Sequence, residues 1–221
     1  DRGEPALIDA DRTSKLSLFF PGVTQLGAGL TMAEAADKPE VAESYFDPAY
    51  HLMKSKDCII DLGANVPTQF YAWYNDSGVE KMLAKTVTIK TIIPITADPS
   101  AFDAGLEAVQ ATLTGKHSTP PMIVLNQADG RFSSYESDER YLTLKKLQSE
   151  GRIEIVDLTK CTASGWVKLE KLRIEPLRAA NMSQEEIQKV AGLTDLEAHR
   201  TLTLIPRSLA ENVENLASAW Q

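Results

Sequence analysis

Two short apolar runs that each end in carboxylate carry most of the chemistry this sequence could perform. They are Ala6-Leu7-Ile8-Asp9-Ala10-Asp11 and Cys58-Ile59-Ile60-Asp61. Four or five apolar residues that stop at an acid read as inner strands of a parallel sheet, buried on both faces. In open α/β sheets a ligand sits beyond the carboxyl ends of the strands, so Asp9, Asp11 and Asp61 are expected to share one rim. Carboxylates gathered there suit hydrated Mg²⁺ and a phosphate ester, because Mg²⁺ keeps several waters and takes only one or two protein oxygens. Taken singly, each acid reads as a turn residue or a helix cap; the joint placement is what points to chemistry.

The elements that must position these acids follow from the rest of the chain. With 221 residues, it is long enough for one full α/β domain or a domain with a small appendage. At 43% hydrophobic and 24% charged, the composition is that of an ordinary soluble protein. A formal net charge of -8 argues against a surface built wholly to hold nucleic acid, while leaving room for a local basic patch. No apolar run approaches bilayer-spanning length, and no signal-peptide pattern is visible. Cys58 and Cys161 make neither a disulfide framework nor a metal site, so a reducing cytoplasm is the expected compartment.

Residues 5 to 9 form the first expected strand, followed by a loop or short helix in which Arg12, Ser14 and Lys15 lie close to the acidic rim. Residues 31 to 56 read as helix, divided by Pro39 and Pro48. A strand over 57 to 61 comes next, and Pro67 starts the helix that bears Phe70, Trp73 and Tyr74. Thr86 to Thr96 reads as strand, and Asp98-Pro99 caps a helix that buries Phe102, Leu106, Val109 and Leu113. Met122 to Leu125 is a buried strand ending at Asn126. Ser137 caps a helix that ends at Gly151, and Ile153 to Leu158 is the last strand. After Lys160 only helices are expected, over 167–177, 183–191, 196–204 and 209–220. Strands that alternate with helices mean βαβ units and a mostly parallel sheet, so residues 1–160 form an α/β core and 161–221 a helical extension.

Four stretches, in order along nearly the whole chain, resemble the ParA/MinD group of deviant Walker ATPases. Ala6 to Asp11 is similar to the acidic strand that follows the phosphate loop, and Cys58 to Leu62 to the Walker B strand. Met122 to Asn126 is similar to the strand whose terminal Asn holds the base, and Ile205-Pro206-Arg207-Ser208-Leu209 to the late Ile-Pro-Arg segment. The match through Asp11 to Gly22 resembles the ATPases of plasmid conjugation and partition. The resemblance implies a three-layer P-loop sheet that binds Mg·ATP, hydrolyses it slowly, and uses it to control a homodimer that engages non-specific DNA or a partner protein. It implies that Asp11 positions the attacking water with support from Asp9, that Asp61 holds Mg²⁺ through water, and that Asn126, Pro206 and Arg207 line the base. Membrane is disfavoured, because Arg207 to Trp220 carries several acids.

The departures matter. No Gly-x-x-x-x-Gly-Lys-Ser/Thr occurs anywhere; Gly115-Lys116 has no glycine five positions earlier and is followed by His117. The expectation is that an N-terminal piece carrying that loop is missing from a chain that opens at Asp1, and that this fragment is inactive. Arg12 stands where the family often has Pro. Asn126-Gln127-Ala128-Asp129 approximates the Asn-Lys-x-Asp box of guanine-binding relatives, but Gln replaces Lys, and Asp129 beside Gly130 reads as a turn. A nucleotide-independent interaction module on the same fold is the alternative function, and a GTP-binding relative is another.

Ser183 to Leu202 has the outline of a helix-turn-helix with Gly192-Leu193-Thr194 as the turn. Asp195, Glu197 and His199 mostly supply the wrong charge for reading bases, which favours a helical hairpin near the base or a dimer face. His51, His117 and His199 lie too far apart to be partners. Trp73 and Tyr74 are expected in the core, and Lys168, Lys171 and Arg173 on a solvated helix face.

Overall fold

The computed structural model describes residues 4–11, 16–18, 20–26, 39–63, 66–83, 85–114 and 119–220. Arg12, Ser14, Lys15 and His117 lie outside these. The protein is mixed α/β, with two three-stranded sheets among the described residues, and it divides into two compact units. The first holds residues 1–93 and 103–121, the second residues 94–102 and 122–221.

In the first unit, β1 (Ala6–Asp9) lies between β2 (Thr24–Gln25) and β3 (Cys58–Asp61), and both pairings are parallel. The register sets Ala6 opposite Cys58, Ile8 opposite Ile60 and Asp9 opposite Asp61. Because side chains alternate across a strand, Ile8 and Ile60 share one face and Asp9 and Asp61 the other. The Ile8 face is covered by α1 (Pro39–Ser55) and α2 (Pro67–Asp76). Tyr45, Phe46, Ala49 and Met53 recur at helical spacing on α1 and are all buried. Phe46 meets Phe70 edge-on at 5.5 Å, and Phe70 stacks on Tyr74 at 6.2 Å. Burying a side chain such as Phe46 contributes roughly 1.5–3 kcal/mol. Trp73 and Tyr74 are therefore core residues, as their helical spacing suggests. Pro67 opens α2, where the missing N–H costs nothing. Pro48 lies inside α1 and does not divide it. A short helix, α3 (Val79–Leu83), closes this layer through Val79 and Leu83.

The second sheet has the order β4 (Ile92–Thr96), β5 (Met122–Asn126), β6 (Glu154–Leu158), with β5 and β6 parallel. The strand expected from Thr86 begins only at Ile92. Met122 to Leu125 are all buried, as an unbroken apolar run at the centre of a sheet requires. Helix α4 (Pro99–Thr114) starts where Asp98 accepts the N–H groups of Ser100 and Ala101, each at 3.0 Å. Phe102, in its first turn, stacks on Tyr135 at 5.1 Å, with the Arg140 guanidinium 5.2 Å from its ring. Helix α5 (Glu139–Ser149) is capped by Asp138, one residue beyond the expected Ser137, because the Asp138 carboxylate takes the Arg140 N–H and guanidinium together.

The helices after Lys160 are α6 (Trp166–Lys171), α7 (Pro176–Ala180), α8 (Gln184–Ala191) and α9 (Asp195–Trp220). The single helix expected over 167–177 is split because Arg173 takes a left-handed turn at φ 57. The Ile174 N–H then reaches back to the Leu169 carbonyl at 3.0 Å, and both side chains enter the local core. Pro206, by contrast, does not break the last helix, which runs unbroken through 26 residues. One hydrogen bond is lost there, and packing compensates: Ala198, Thr201 and Ile205 are all buried upstream of the proline. Downstream, Asn212 caps the end of β6 by accepting the Thr159 N–H at 3.0 Å, and Leu216 and Ala219 pack against Met122, Val124 and Val156.

Candidate nucleotide and metal site

The carboxyl ends of β1 and β3 bring three acids together. Asp9 and Asp61 are register partners on adjacent strands, so their Cα atoms are about 4.8 Å apart. Asp9 is fully buried, and its Oδ1 accepts the Asp11 N–H at 2.8 Å. Its Oδ2 is buried without a hydrogen-bond partner among the described residues. Asp11 is half-buried and Asp61 exposed.

The backbone beneath them is fixed from three sides. The Ala10 N–H donates to the Asp61 carbonyl at 2.8 Å, the Leu26 N–H to the Asp9 carbonyl at 2.8 Å, and the Tyr45 hydroxyl to the Ala10 carbonyl at 3.1 Å. Gln25 adds a contact from its Nε2 to the Asp11 carbonyl at 3.2 Å. Gly63 completes the rim by close approach, since a Cβ there would lie 2.9 Å from both Cγ and Oδ1 of Asp11. Sequence reasoning missed Gly63, Gln25 and Tyr45. Only Gly63, two residues beyond the strand-end acid, carried a signal, because a glycine beside a turn often marks close approach.

Among the described residues no group of three or more His, Cys, Asp or Glu side chains is arranged to hold a metal ion. Mg²⁺ does not need such a cage, because it retains waters and takes one or two carboxylates. A buried acceptor without a donor and an exposed carboxylate on the neighbouring strand fit that mode of binding.

The remaining sequence candidates belong to the second unit. Asn126 ends β5 opposite Leu158, and its side-chain oxygen accepts the Ala128 N–H at 3.1 Å. The Gly130 N–H donates to the Gln127 carbonyl at 3.3 Å, so Asn126 to Gly130 is a tight turn with Asp129 exposed on it. Lys160, which sequence reasoning passed over, donates from Nζ to the Ala128 carbonyl at 2.7 Å and ties this turn to the end of β6. Pro206 and Arg207 are exposed on α9, and Arg207 pairs with Glu211 at 3.0 Å. With Asn212 level with the end of β6, Arg207 stands about 7.5 Å further along the helix, beyond the carboxyl rim of the sheet. Asn126 and Arg207 thus lie toward the same end of that sheet, each engaged with its own neighbours.

The Glu186 and Glu197 carboxyls are held below the usual range by capping bonds, from the backbone N–H groups of Ser183 and Thr194 first and their hydroxyls second. Among the described residues no helix is long and apolar enough to cross a membrane. No protein-family model, no curated protein and no solved structure matches the chain.

Proposed function

We propose that this chain supplies the acidic rim and base-side lining of a Mg·ATP site of the ParA/MinD type, on a three-layer P-loop-like framework. The observation that carries this reading is the rim itself: Asp9 and Asp61 at the ends of adjacent parallel strands, with Asp11 held by Asp9 and pressed against Gly63. Phosphoryl transfer is mostly positioning and charge neutralisation, so a water-orienting acid and an ion-holding acid are the parts it needs from the protein.

In this reading Asp11 orients the attacking water, and the buried Asp9 fixes the Asp11 backbone. Asp61 holds Mg²⁺ through water; when bound, the ion neutralises phosphate charge. Asn126, Pro206 and Arg207 line the base. The 221 residues contain no Gly-x-x-x-x-Gly-Lys-Ser/Thr, so in this reading the phosphate cradle is not among them. The intact protein would turn over slowly as a nucleotide-dependent homodimer that engages DNA or a partner protein.

Asp9 also favours a second reading. Its Oδ1 serves the backbone of Asp11, as a purely structural acid would in a nucleotide-independent interaction module. ATP hydrolysis by the protein translated from the gene's own start codon, with and without Asp11→Ala, separates the two. Turnover that disappears in Asp11→Ala supports the ATPase; an active wild type unaffected by that change, or no turnover in either protein, refutes it. The 221-residue chain alone is expected to show no micromolar ATP binding by calorimetry.

A further inference from the structure

The two sheets have four outer strands among the described residues, and three of them are closed to further pairing. β2 is only two residues long, and β4 carries Pro94, which has no N–H to offer. β6 is covered from α9. The Asp157 carbonyl accepts the Asn215 side-chain amide at 3.3 Å, while Asn212 takes the Thr159 N–H at 3.0 Å and donates to the Thr159 carbonyl at 3.2 Å. β3 has none of these devices.

The ladder fixes what β3 turns outward. The Asp57 and Asp61 carbonyls accept the Ala6 and Ala10 N–H groups, each at 2.8 Å. In a parallel pair the N–H and C=O of one residue point to the same side, and the sides alternate along the strand. The backbones of Asp57, Ile59 and Asp61 therefore face β1, and those of Cys58 and Ile60 face away from it, where no strand pairs with them among the described residues. Side chains alternate too. Asp57, Ile59 and Asp61 share one face and all are exposed, Ile59 to 55%. Cys58 and Ile60 pack against the core on the other face. An apolar run without lysine or proline is the composition of an inner strand, and here it stands at an edge.

We propose that the outer edge of β3 is a docking site for an extended, basic segment of a partner protein, which adds as an antiparallel strand through the backbone groups of Cys58 and Ile60. Strand addition draws affinity from main-chain bonds and specificity from alternate side chains, and the antiparallel ladder is the more stable per residue. The exposed face of β3 states the preference: a β-branched residue opposite Ile59, and lysine or arginine opposite Asp57 and Asp61. The residues between them lie on the Cys58 and Ile60 face and are apolar, extending the core. Lys56 is exposed as well but stands before the ladder. Charge selects against a second copy: in the overlapping registers that match faces, β3 paired with itself sets an acid of one chain against an acid or Ile59 of the other, and each chain carries a net charge of -8. Neither reading above assigns this surface. The contact needs no nucleotide, and it is tested in EDTA so that no ion sits at Asp61.

The probe is a fluorescein-labelled peptide, Ser-Lys-Val-Ile-Val-Lys-Ser, titrated with the full chain and followed by anisotropy. Saturable binding is expected, with the Cys58 and Ile60 amides protected from hydrogen exchange in NMR. Methylating both peptide valine nitrogens, which face β3, should weaken binding roughly ten- to thirty-fold, while methylating the isoleucine nitrogen, which faces away, should leave it unchanged. Asp57→Lys should weaken binding by up to about five-fold, and a peptide with glutamate in place of its second lysine should restore it. Ile59→Lys, at an exposed position, should weaken binding of the original peptide. No saturable binding by about 1 mM overturns the proposal, as does equal binding by the two methylated peptides or an Ile59→Lys chain that binds like the wild type. A chain that self-associates and becomes monomeric in Ile59→Lys overturns it in favour of a second copy.

Discussion

Replacing Asp9 by Asn tests whether the acidic rim is built for an ion. In the wild type one carboxylate oxygen takes the Asp11 N–H, and the other is buried with no donor among the described residues. Asn keeps the acceptor and the shape while removing the charge. A buried neutral group without a partner costs roughly 1–3 kcal/mol, and an ionised one costs more. Asp9→Asn is therefore expected to stabilise the metal-free protein by about 1–2 kcal/mol. Asp9→Ala should do the opposite by about 1–3 kcal/mol, because the Asp11 N–H loses its acceptor. The assay is urea unfolding followed by tryptophan fluorescence in a Trp166→Phe, Trp220→Phe background, which leaves Trp73, buried in the same unit, as the reporter. With a slope of about 2–3 kcal/mol/M, the two variants should bracket the wild-type midpoint by about a third of a molar or more on each side. Adding Mg²⁺ at ten times its Kd should stabilise the wild type by about 1.4 kcal/mol and Asp61→Asn, which loses the acid that holds the ion, by much less. If Asp9→Asn is destabilised as much as Asp9→Ala, the acid is a structural cap and the argument for an ion at this rim fails.

Three further outcomes follow from the geometry. Arg173→Gly should stabilise the helical region by about 0.5–1 kcal/mol in thermal unfolding, because Arg173 holds a left-handed conformation that glycine adopts freely. Gly165→Ala should destabilise it by about 1–3 kcal/mol, since the added Cβ would lie 2.6 Å from Leu193 Cδ1 and against the Thr201 hydroxyl; the loss should shrink in a Leu193→Ala background. Asp138 is held down to about 2 by its bonds to the Arg140 side chain and then the Arg140 N–H. Because the folded-state value is depressed, its stabilisation is complete above the ordinary 3.8 and is lost as pH falls toward about 2. Asp138→Asn should flatten that part of the acid-unfolding curve, and a carboxyl NMR titration should find the Asp138 midpoint well below its neighbours.

Met122 to Leu125 was legible because burial on both faces leaves an unbroken apolar run, whereas Cys58–Asp61, expected as an inner strand on the same ground, lies at the edge of its sheet with Ile59 55% exposed. Thr24–Gln25 was not legible, since a two-residue strand has no pattern to display. Thr86 to Thr91 looked like strand from β-branched composition alone, but pairing decides strand formation and began only at Ile92. Local chemistry that bonds to itself was the most readable: Ser183 with Glu186 and Thr194 with Glu197 form the capping boxes their spacing implies. Tertiary context overrode local rules at Pro206, where packing kept a helix the proline should have ended, and at Arg173, where a turn formed without glycine. At the candidate site the acids were visible in the sequence, while Tyr45, Gln25 and Lys160 were not. Their contribution is a single bond to a distant backbone carbonyl, and no spacing rule encodes that.

The length of the final helix turns it into a lever. Its first half is seated among α6, α7 and α8 through Ala198 and Ile205, and its second half is fastened along β6 by Asn212 and Asn215. At about 1.5 Å per residue, roughly 16 Å of rod project from Pro206 to the first turn and roughly 20 Å run back to the far end. Pro206 stands at the fulcrum, where the missing N–H leaves the rod easiest to bend. A load applied at Arg200 would therefore be felt as torque at the tip of β6, next to the turn that begins at Asn126.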